Sequence, residues 1–151
     1  MTLEEQLAVD LQDAMRSRDE TRKLAIRAVK TAVTEAKVSG AEVRTLTDQD
    51  VLAIIAKQVK QRRDSAAEFA KGGRTDLVAQ EEAEIAVLLP YLPAQLDEAA
   101  IRALAEEVIA ELSVTDMKGI GPVMKRLSPE MRGRADGQTV NRIVRELLGP
   151  A

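Results

Sequence analysis

The chain has 151 residues and a formal net charge of −3, and it contains no cysteine and no histidine. Because it holds one Phe, one Tyr and no Trp, its core must be aliphatic and alanine-rich, which favours helix packing over a β-sandwich. The composition also excludes disulfide bonds and every nucleophile that needs a Cys or a His. An acidic start and the lack of a long apolar run indicate neither export nor membrane insertion. From the composition we expect an all-α fold, and from the lack of an export or membrane signal we expect a cytoplasmic protein.

Four helices are predicted before Pro90. Thr2 and Glu5 form a capping box at the start of the first helix, and an alanine-rich stripe marks the second. Gly72-Gly73 breaks the third helix, so the fourth returns antiparallel to it. The spacing of apolar residues gives bounds of about 2–17, 19–38, 47–71 and 75–89.

The segment Pro90-Tyr91-Leu92-Pro93 interrupts this helical pattern. Proline cannot continue a helix and restricts the residue before it, so we expect an extended linker and a domain boundary here. The predicted domains are a helical N-terminal domain, residues 1–92, and a small helical C-terminal domain, residues 93–151. In the second, we expect helices at about 98–112, 122–127 and 137–148, an extra turn at Ser128-Pro129, and a cap at Asp136.

Two segments carry a resemblance to a known family. The first is KQVKQRRDSAAEFAKGGRTDLVAQEEAEIAVLLPYLPAQL, from Lys57 to Leu96, and the second is KGIGPVMKRLSPEMRGRADG, from Lys118 to Gly137. Together they resemble the GatB/YqeY family, that is, free-standing YqeY-like proteins related to the tail domain of the amidotransferase B subunit. The resemblance implies a helical N-terminal region, a C-terminal domain of about three helices, and an association with carbon–nitrogen ligases that use glutamine as amide donor.

The matching motif positions lie in the second segment. Those of the family motif are Gly121, Val123, Met124, Gly133, Arg134, Ala135, Asp136 and Gly137. Ile120 stands where methionine is common in the family, and Pro122 where lysine is. Without that lysine, the loop around Pro122 has less positive charge with which to bind a phosphate. The part of the B subunit that activates and amidates glutamyl-tRNA has no counterpart in this chain.

Catalytic chemistry finds little support in the residues themselves. Glutamine hydrolysis needs an activated Cys or a Ser–Lys–Ser relay, and the five serines are scattered singly through helices and turns. Glu81, Glu82 and Glu84 lack the histidines of a carboxylate metal site, so a solvated acidic face is the better interpretation. We therefore expect no catalytic residue, metal or cofactor in the isolated chain, and leave open whether it acts within an enzyme.

Charge is strongly segregated along the chain. Residues 117–145 carry seven basic and two acidic side chains, whereas residues 76–116 carry ten acidic side chains and one arginine. The RNA-binding candidates are Lys118, Lys125, Arg126, Arg132 and Arg134. Phe69 is expected in the core and Tyr91 in the linker, so RNA would be recognised by backbone and shape rather than by stacking. Basic faces in the first domain, which include Lys57 and Arg63, are interpreted as solvated.

These observations favour an accessory protein of tRNA metabolism that binds and positions tRNA or an amidotransferase or synthetase component. Two alternatives remain open. One is a component of an amidotransferase that shares its ligase activity only within the assembly, and the other is a helical protein–protein interaction module with no RNA or catalytic role. No membrane or DNA partner is expected.

Overall fold

The computed structural model describes residues 1–149. Every regular element in this range is helical and none is a strand, so the predicted all-α class is confirmed. The chain forms two compact units, Met1–Leu92 and Pro93–Ala151. Within residues 1–149, we find no helix with the length and apolarity needed to cross a bilayer.

The N-terminal unit contains four helices, which are α1 (Leu3–Arg16), α2 (Glu20–Val38), α3 (Asp48–Lys71) and α4 (Thr75–Leu88). The predicted capping box is present at α1, because the Thr2 side chain accepts from the Glu5 amide while the Glu5 carboxylate accepts from the Thr2 amide, each at 3.1 Å. Thr47 and Asp50 form a second capping box at α3. These local pairs explain why the starts of both helices were predictable from sequence.

The core of this unit fills only part of the α3–α4 hairpin. In α3 the buried residues are Val51, Ile55 and Val59, and in α4 burial begins at Glu84. No residue between 60 and 83 is fully buried, and we call this part of the two helices the distal hairpin. It continues for about 18 Å beyond Val59, at 1.5 Å per residue. The expectation that Phe69 lies in the core is therefore wrong, since it is half-buried and outside the core.

The linker is less extended than expected. A 3-10 helix, Leu89–Tyr91, follows α4 without a gap, and the backbone becomes extended at Leu92, with ψ of 157°. Pro90 fits here because it lies in the first turn of the short helix, where its missing N–H has no partner to lose. The expectation of a fully extended segment from Pro90 to Pro93 was therefore wrong for its first half.

The C-terminal unit packs three helices, α5 (Glu98–Glu111), α6 (Ile120–Met131) and α7 (Gly137–Leu148), with a 3-10 helix, Met117–Gly119, before α6. The predicted break at Ser128 is wrong, because α6 continues through Pro129. Val123, Leu127 and Met131 form one buried stripe along α6, and Pro129 stands so near its end that little of the helix is lost. Packing of these three buried side chains thus outweighs the tendency of the proline to end the helix.

Candidate functional site

The five basic candidates do not form one cluster. Lys118, Lys125 and Arg132 are exposed, and the ion pairs found in this unit join other residues. Lys118 lies in the 3-10 helix before α6, Lys125 lies within α6, and Arg132 is the C-cap residue of α6. Lys125 and Arg132 are seven residues apart, which is two turns, about 10 Å, along nearly the same side of that helix. We call Lys118, Lys125 and Arg132 the basic stripe. It presents three cations to solvent with no carboxylate partner among residues 1–149.

The other two candidates are already engaged within the unit. Arg126 donates to the Glu111 carboxylate of α5 at 3.0 Å. Arg134 is half-buried and its Nε donates to the Ala94 carbonyl at 3.3 Å, while its own carbonyl accepts from the Leu96 amide at 2.9 Å. Arg134 therefore holds the first residues of the unit in place, and Arg126 ties α6 to α5.

An apolar groove of about 230 Å³ lies between α6 and α7, beside the basic stripe. Its lining consists of Met124, Ser128, Met131, Arg132, Ala135, Gly137 and Val140, and we call it the methionine groove. No carboxylate is among these lining residues. The groove thus combines apolar side chains with one guanidinium, that of Arg132, which belongs to the stripe as well.

The residues of the family motif have different structural roles. Val123 is completely buried in the core, and Asp136 is the N-cap residue of α7 as predicted, although its side chain accepts from the Thr139 hydroxyl, at 3.4 Å, instead of from a helix amide. Gly133 has a φ of +73°, a conformation that glycine adopts without strain, and its carbonyl accepts from the Gln95 amide group at 2.7 Å.

No structural role is evident for Gly121 and Gly137. A Cβ added at Gly119, by comparison, would lie 2.3 Å from a Val114 methyl group, so packing requires that glycine. A Cβ at Gly121 or Gly137 would meet nothing within 4 Å, and neither residue has a positive φ. Neither backbone strain nor packing explains why these two motif positions lack a side chain.

A second, larger groove, of about 690 Å³, lies along the outer face of α7 and includes Arg142, Arg145 and Glu146. Arg142 pairs with Glu98 and with Glu146, and Glu146 also accepts from Arg102 at 2.7 Å. Hydrogen bonds from Arg102 and Arg142 lower the pKa of Glu146 below its ordinary value. Sequence reasoning missed this network because its members on α5 and α7 lie 44 residues apart. In this groove, Arg142 and Glu146 therefore already have partners of opposite charge.

The acidic face of α4 is not wholly solvated. Glu84 is only 9% exposed, and its carboxylate lies 3.9 Å from the Arg62 guanidinium of α3. Burial raises the pKa of Glu84, which the nearby positive charge of Arg62 partly offsets. The interpretation of this glutamate as solvated is wrong, since the return of the chain at Gly72-Gly73 places it against α3. Within residues 1–149, no three potential ligands are grouped to hold a metal ion.

A polar cluster fixes the end of the N-terminal unit. The Tyr91 hydroxyl donates to the Asp10 carboxylate, which also accepts from Gln6 at 2.9 Å and lies 3.5 Å from Arg22. Burial, and then the hydrogen bond and negative charge of Asp10, raise the pKa of Tyr91. Sequence reasoning placed Tyr91 in the linker but did not find its partner, which lies 81 residues earlier.

Several curated proteins are similar to the chain, and three of them, from different fungi, share the name "Altered inheritance of mitochondria protein 41, mitochondrial". One from Pyrenophora tritici-repentis is 30% identical over 95% of this chain and 79% of its own length. One from Lachancea thermotolerans is 35% identical over 70% of this chain and 57% of its own length. One from Kluyveromyces lactis is 32% identical over 89% of this chain and 69% of its own length. The matches thus leave out between a fifth and nearly half of each relative.

These names correct two expectations. An accessory protein of tRNA metabolism was expected, but the relatives are named for the inheritance of mitochondria, and their names mention no tRNA, amidotransferase or ligase. A cytoplasmic protein was expected, whereas the relatives are named as mitochondrial proteins. Both expectations are therefore contradicted.

The resemblance that the two sequence segments carry is confirmed. The family described as "Yqey-like protein" matches residues 4–148, which include all four helices of the N-terminal unit and all three of the C-terminal unit. The chain belongs to the Yqey-like protein family.

Proposed function

We propose that the chain is a non-catalytic adaptor that binds an acidic partner protein through the basic stripe of its C-terminal unit. The observation that carries this proposal is that Lys118, Lys125 and Arg132 are exposed and have no carboxylate partner within residues 1–149. Arg102, Arg126 and Arg142 of the same unit each have a carboxylate partner. Exposed cations that follow one another along α6 and the 3-10 helix before it attract a surface of opposite charge and favour one orientation of it.

The surroundings of the stripe suit a protein better than single-stranded RNA. Single-stranded RNA is usually held by aromatic side chains that stack on its bases, and no aromatic residue lines the groove beside the stripe. Methionine side chains, which are flexible and apolar, are instead typical of surfaces that accept varied protein segments. A role in binding also needs no active site, and the relatives' names describe no reaction.

The family resemblance suggests which partner proteins to test first. A component of an amidotransferase or of an aminoacyl-tRNA synthetase remains a proposed partner, and such a component would be assayed as a purified protein against the whole chain. Binding would have to use an acidic surface of that component. The assay would include tRNA as a competitor, so that displacement by RNA can be recognised.

Photo-crosslinking in the organism's own cells tests the proposal. A photoreactive residue at Ser128, which is exposed and lies one turn from Lys125, should crosslink to a partner peptide rich in Asp and Glu, identified by mass spectrometry. The double change Lys125→Glu and Arg132→Glu should abolish the crosslink. The matched control, Lys57→Glu and Arg63→Glu on exposed positions of α3, makes the same change of charge and should leave it intact.

Two results would contradict the proposal. One is a crosslink to RNA that ribonuclease removes, and the other is a protein crosslink that survives the double charge reversal. Purified complexes give a second readout, because a contact made by exposed charges should weaken when salt is raised to about 0.5 M, where the screening length falls to a few ångströms.

A further inference from the structure

We infer that the methionine groove is the site for one aliphatic side chain of this acidic partner, and that Gly137 keeps the groove open. The inference rests on the proposed function and adds where the partner is anchored. The partner segment would place a Leu, Ile or Met in the groove and its carboxylates over Lys125 and Arg132.

The chemistry of the lining specifies this kind of occupant. Met124, Met131 and Val140 supply an apolar floor, and Arg132 supplies the one charged group in the lining. Of the floor residues, Met131 and Val140 are 4% and 2% exposed, so they are fixed in the core, whereas Met124 is half-buried and able to adjust. An apolar side chain would bury against this floor, while an acidic neighbour would reach Arg132.

Gly137 provides the independent observation. It is the first residue of α7, it lines the groove, and a Cβ there would meet no atom within 4 Å. A side chain would therefore be tolerated by the fold, and because Gly137 lines the groove we expect that side chain to enter it. Since glycine is a poor helix residue, the absence of a side chain costs some stability and gains an open groove.

Charge complementarity selects an acidic segment over a neutral one. Lys125 precedes Ser128 of the groove lining by three residues, one helical turn, and is exposed without a carboxylate partner among residues 1–149. Arg132 is the C-cap residue of α6 and lies two turns beyond Lys125 along that helix. Two cations about 10 Å apart along the helix therefore flank the position where the aliphatic side chain would enter.

Synthetic peptides and the full-length protein test this inference. The probe is a helical peptide with four glutamates on one face and a single leucine between them, and its matched control replaces that leucine with alanine. Fluorescence anisotropy should show the leucine peptide binding about tenfold more tightly, which corresponds to burial of roughly two methylene groups. A peptide with lysines in place of the glutamates should not bind.

A change in the groove should remove the leucine effect alone. Gly137→Leu is expected to fill the groove, keep the helical circular dichroism spectrum, keep or raise the thermal midpoint of the parent protein, and bind both acidic peptides equally. The matched variant Ala110→Leu places a leucine at an exposed position of α5 outside the groove lining, and it should preserve the tenfold difference. A Gly137→Ala variant, which adds only one carbon, provides a second measurement if the leucine variant is unstable.

The outcomes separate the two proposals. If both acidic peptides bind equally to the parent protein, the groove inference is wrong while the acidic-partner proposal stands. If Gly137→Leu is folded and still prefers the leucine peptide, the groove is likewise not the anchor site. If the acidic peptides and the lysine peptide all fail to bind at about 50 mM salt, where exposed charges interact strongly, both proposals are wrong.

Discussion

At the scale of single residues, Tyr91 shows how one hydroxyl holds an element end in place. Its partner Asp10 belongs to α1, so the hydrogen bond joins the 3-10 helix after α4 to the first helix of the unit. Asp10 keeps two further partners, Gln6 and Arg22. The Asp10 carboxylate therefore keeps partners when the Tyr91 hydroxyl is removed.

For this reason Tyr91→Phe should have a modest effect. We expect the free energy of unfolding to fall by about 0.5–1.5 kcal/mol, the usual net contribution of such a bond. Urea unfolding of the parent and variant measures the difference. In an Asp10→Asn background the same change should cost less, and an undiminished cost there would show that the hydroxyl acts through another group.

The ionisation of Tyr91 gives a second, spectroscopic prediction. Its folded pKa is raised above the ordinary value of 10.0, so the folded state favours the neutral phenol. The resulting stabilisation is complete below pH 10 and is lost as pH rises from there towards the folded pKa. Because the chain has a single Tyr, its ultraviolet absorbance should show no tyrosinate in the folded protein at pH 10, and half-ionisation at that pH would contradict the burial.

At the scale of elements, the α3–α4 pair contains a buried charge with an imperfect partner. The distance of 3.9 Å between Arg62 and Glu84 is long for an ion pair, and the Arg62 Nε atom is buried without a hydrogen-bond partner in the described chain. Burying a charged pair costs desolvation that weak geometry does not fully offset. The raised pKa of Glu84 expresses the same cost.

The pH dependence of Glu84 follows from that shift. A folded pKa above the unfolded value means that the protonated form is favoured, so the contribution of Glu84 to stability is complete below its ordinary pKa of 4.5 and is lost as pH rises through the folded pKa. Urea unfolding of the parent and of Glu84→Gln between about pH 4 and 7 measures it. The stability of the parent relative to the variant should fall as pH rises, and a difference independent of pH would contradict the assignment.

Local signals explain which elements the sequence predicted well. The capping boxes at Thr2 and Thr47 join residues three apart, so both helix starts were readable from neighbouring side chains. The continuation of α6 through Pro129 depends instead on packing of Leu127 and Met131 against the other helices of the unit. Packing between elements has no local signature, and for that reason the predicted break at Ser128 was wrong.

At the scale of the whole molecule, each unit has a core of its own. The division into two independently stable domains nevertheless stays a prediction. We expect residues 93–151 produced alone to be helical and to unfold cooperatively, since the buried aliphatic residues of that unit pack against one another. Circular dichroism and urea unfolding of this fragment test it, and a fragment without a cooperative transition would show that the domains depend on each other.

The candidate site was predictable in composition and not in arrangement. Counting charges located the excess of cations between residues 117 and 145. It did not show that Arg126 is occupied by Glu111, fifteen residues away, or that Arg134 reaches Ala94, forty residues away. Those engagements depend on how the helices pack. Of the five candidates they leave Lys118, Lys125 and Arg132 available, and this selection depends on the fold.

The distal hairpin has a consequence for how this chain can vary in length. Because no residue between 60 and 83 is fully buried, whole helical turns can be inserted or deleted in pairs on either side of Gly72-Gly73 without disturbing the core. A fluorescent or affinity label placed in that turn would report on the protein from a position far along the chain from the basic stripe and outside both cores. The hairpin is thus the natural place to extend the molecule while its two packed units stay unchanged.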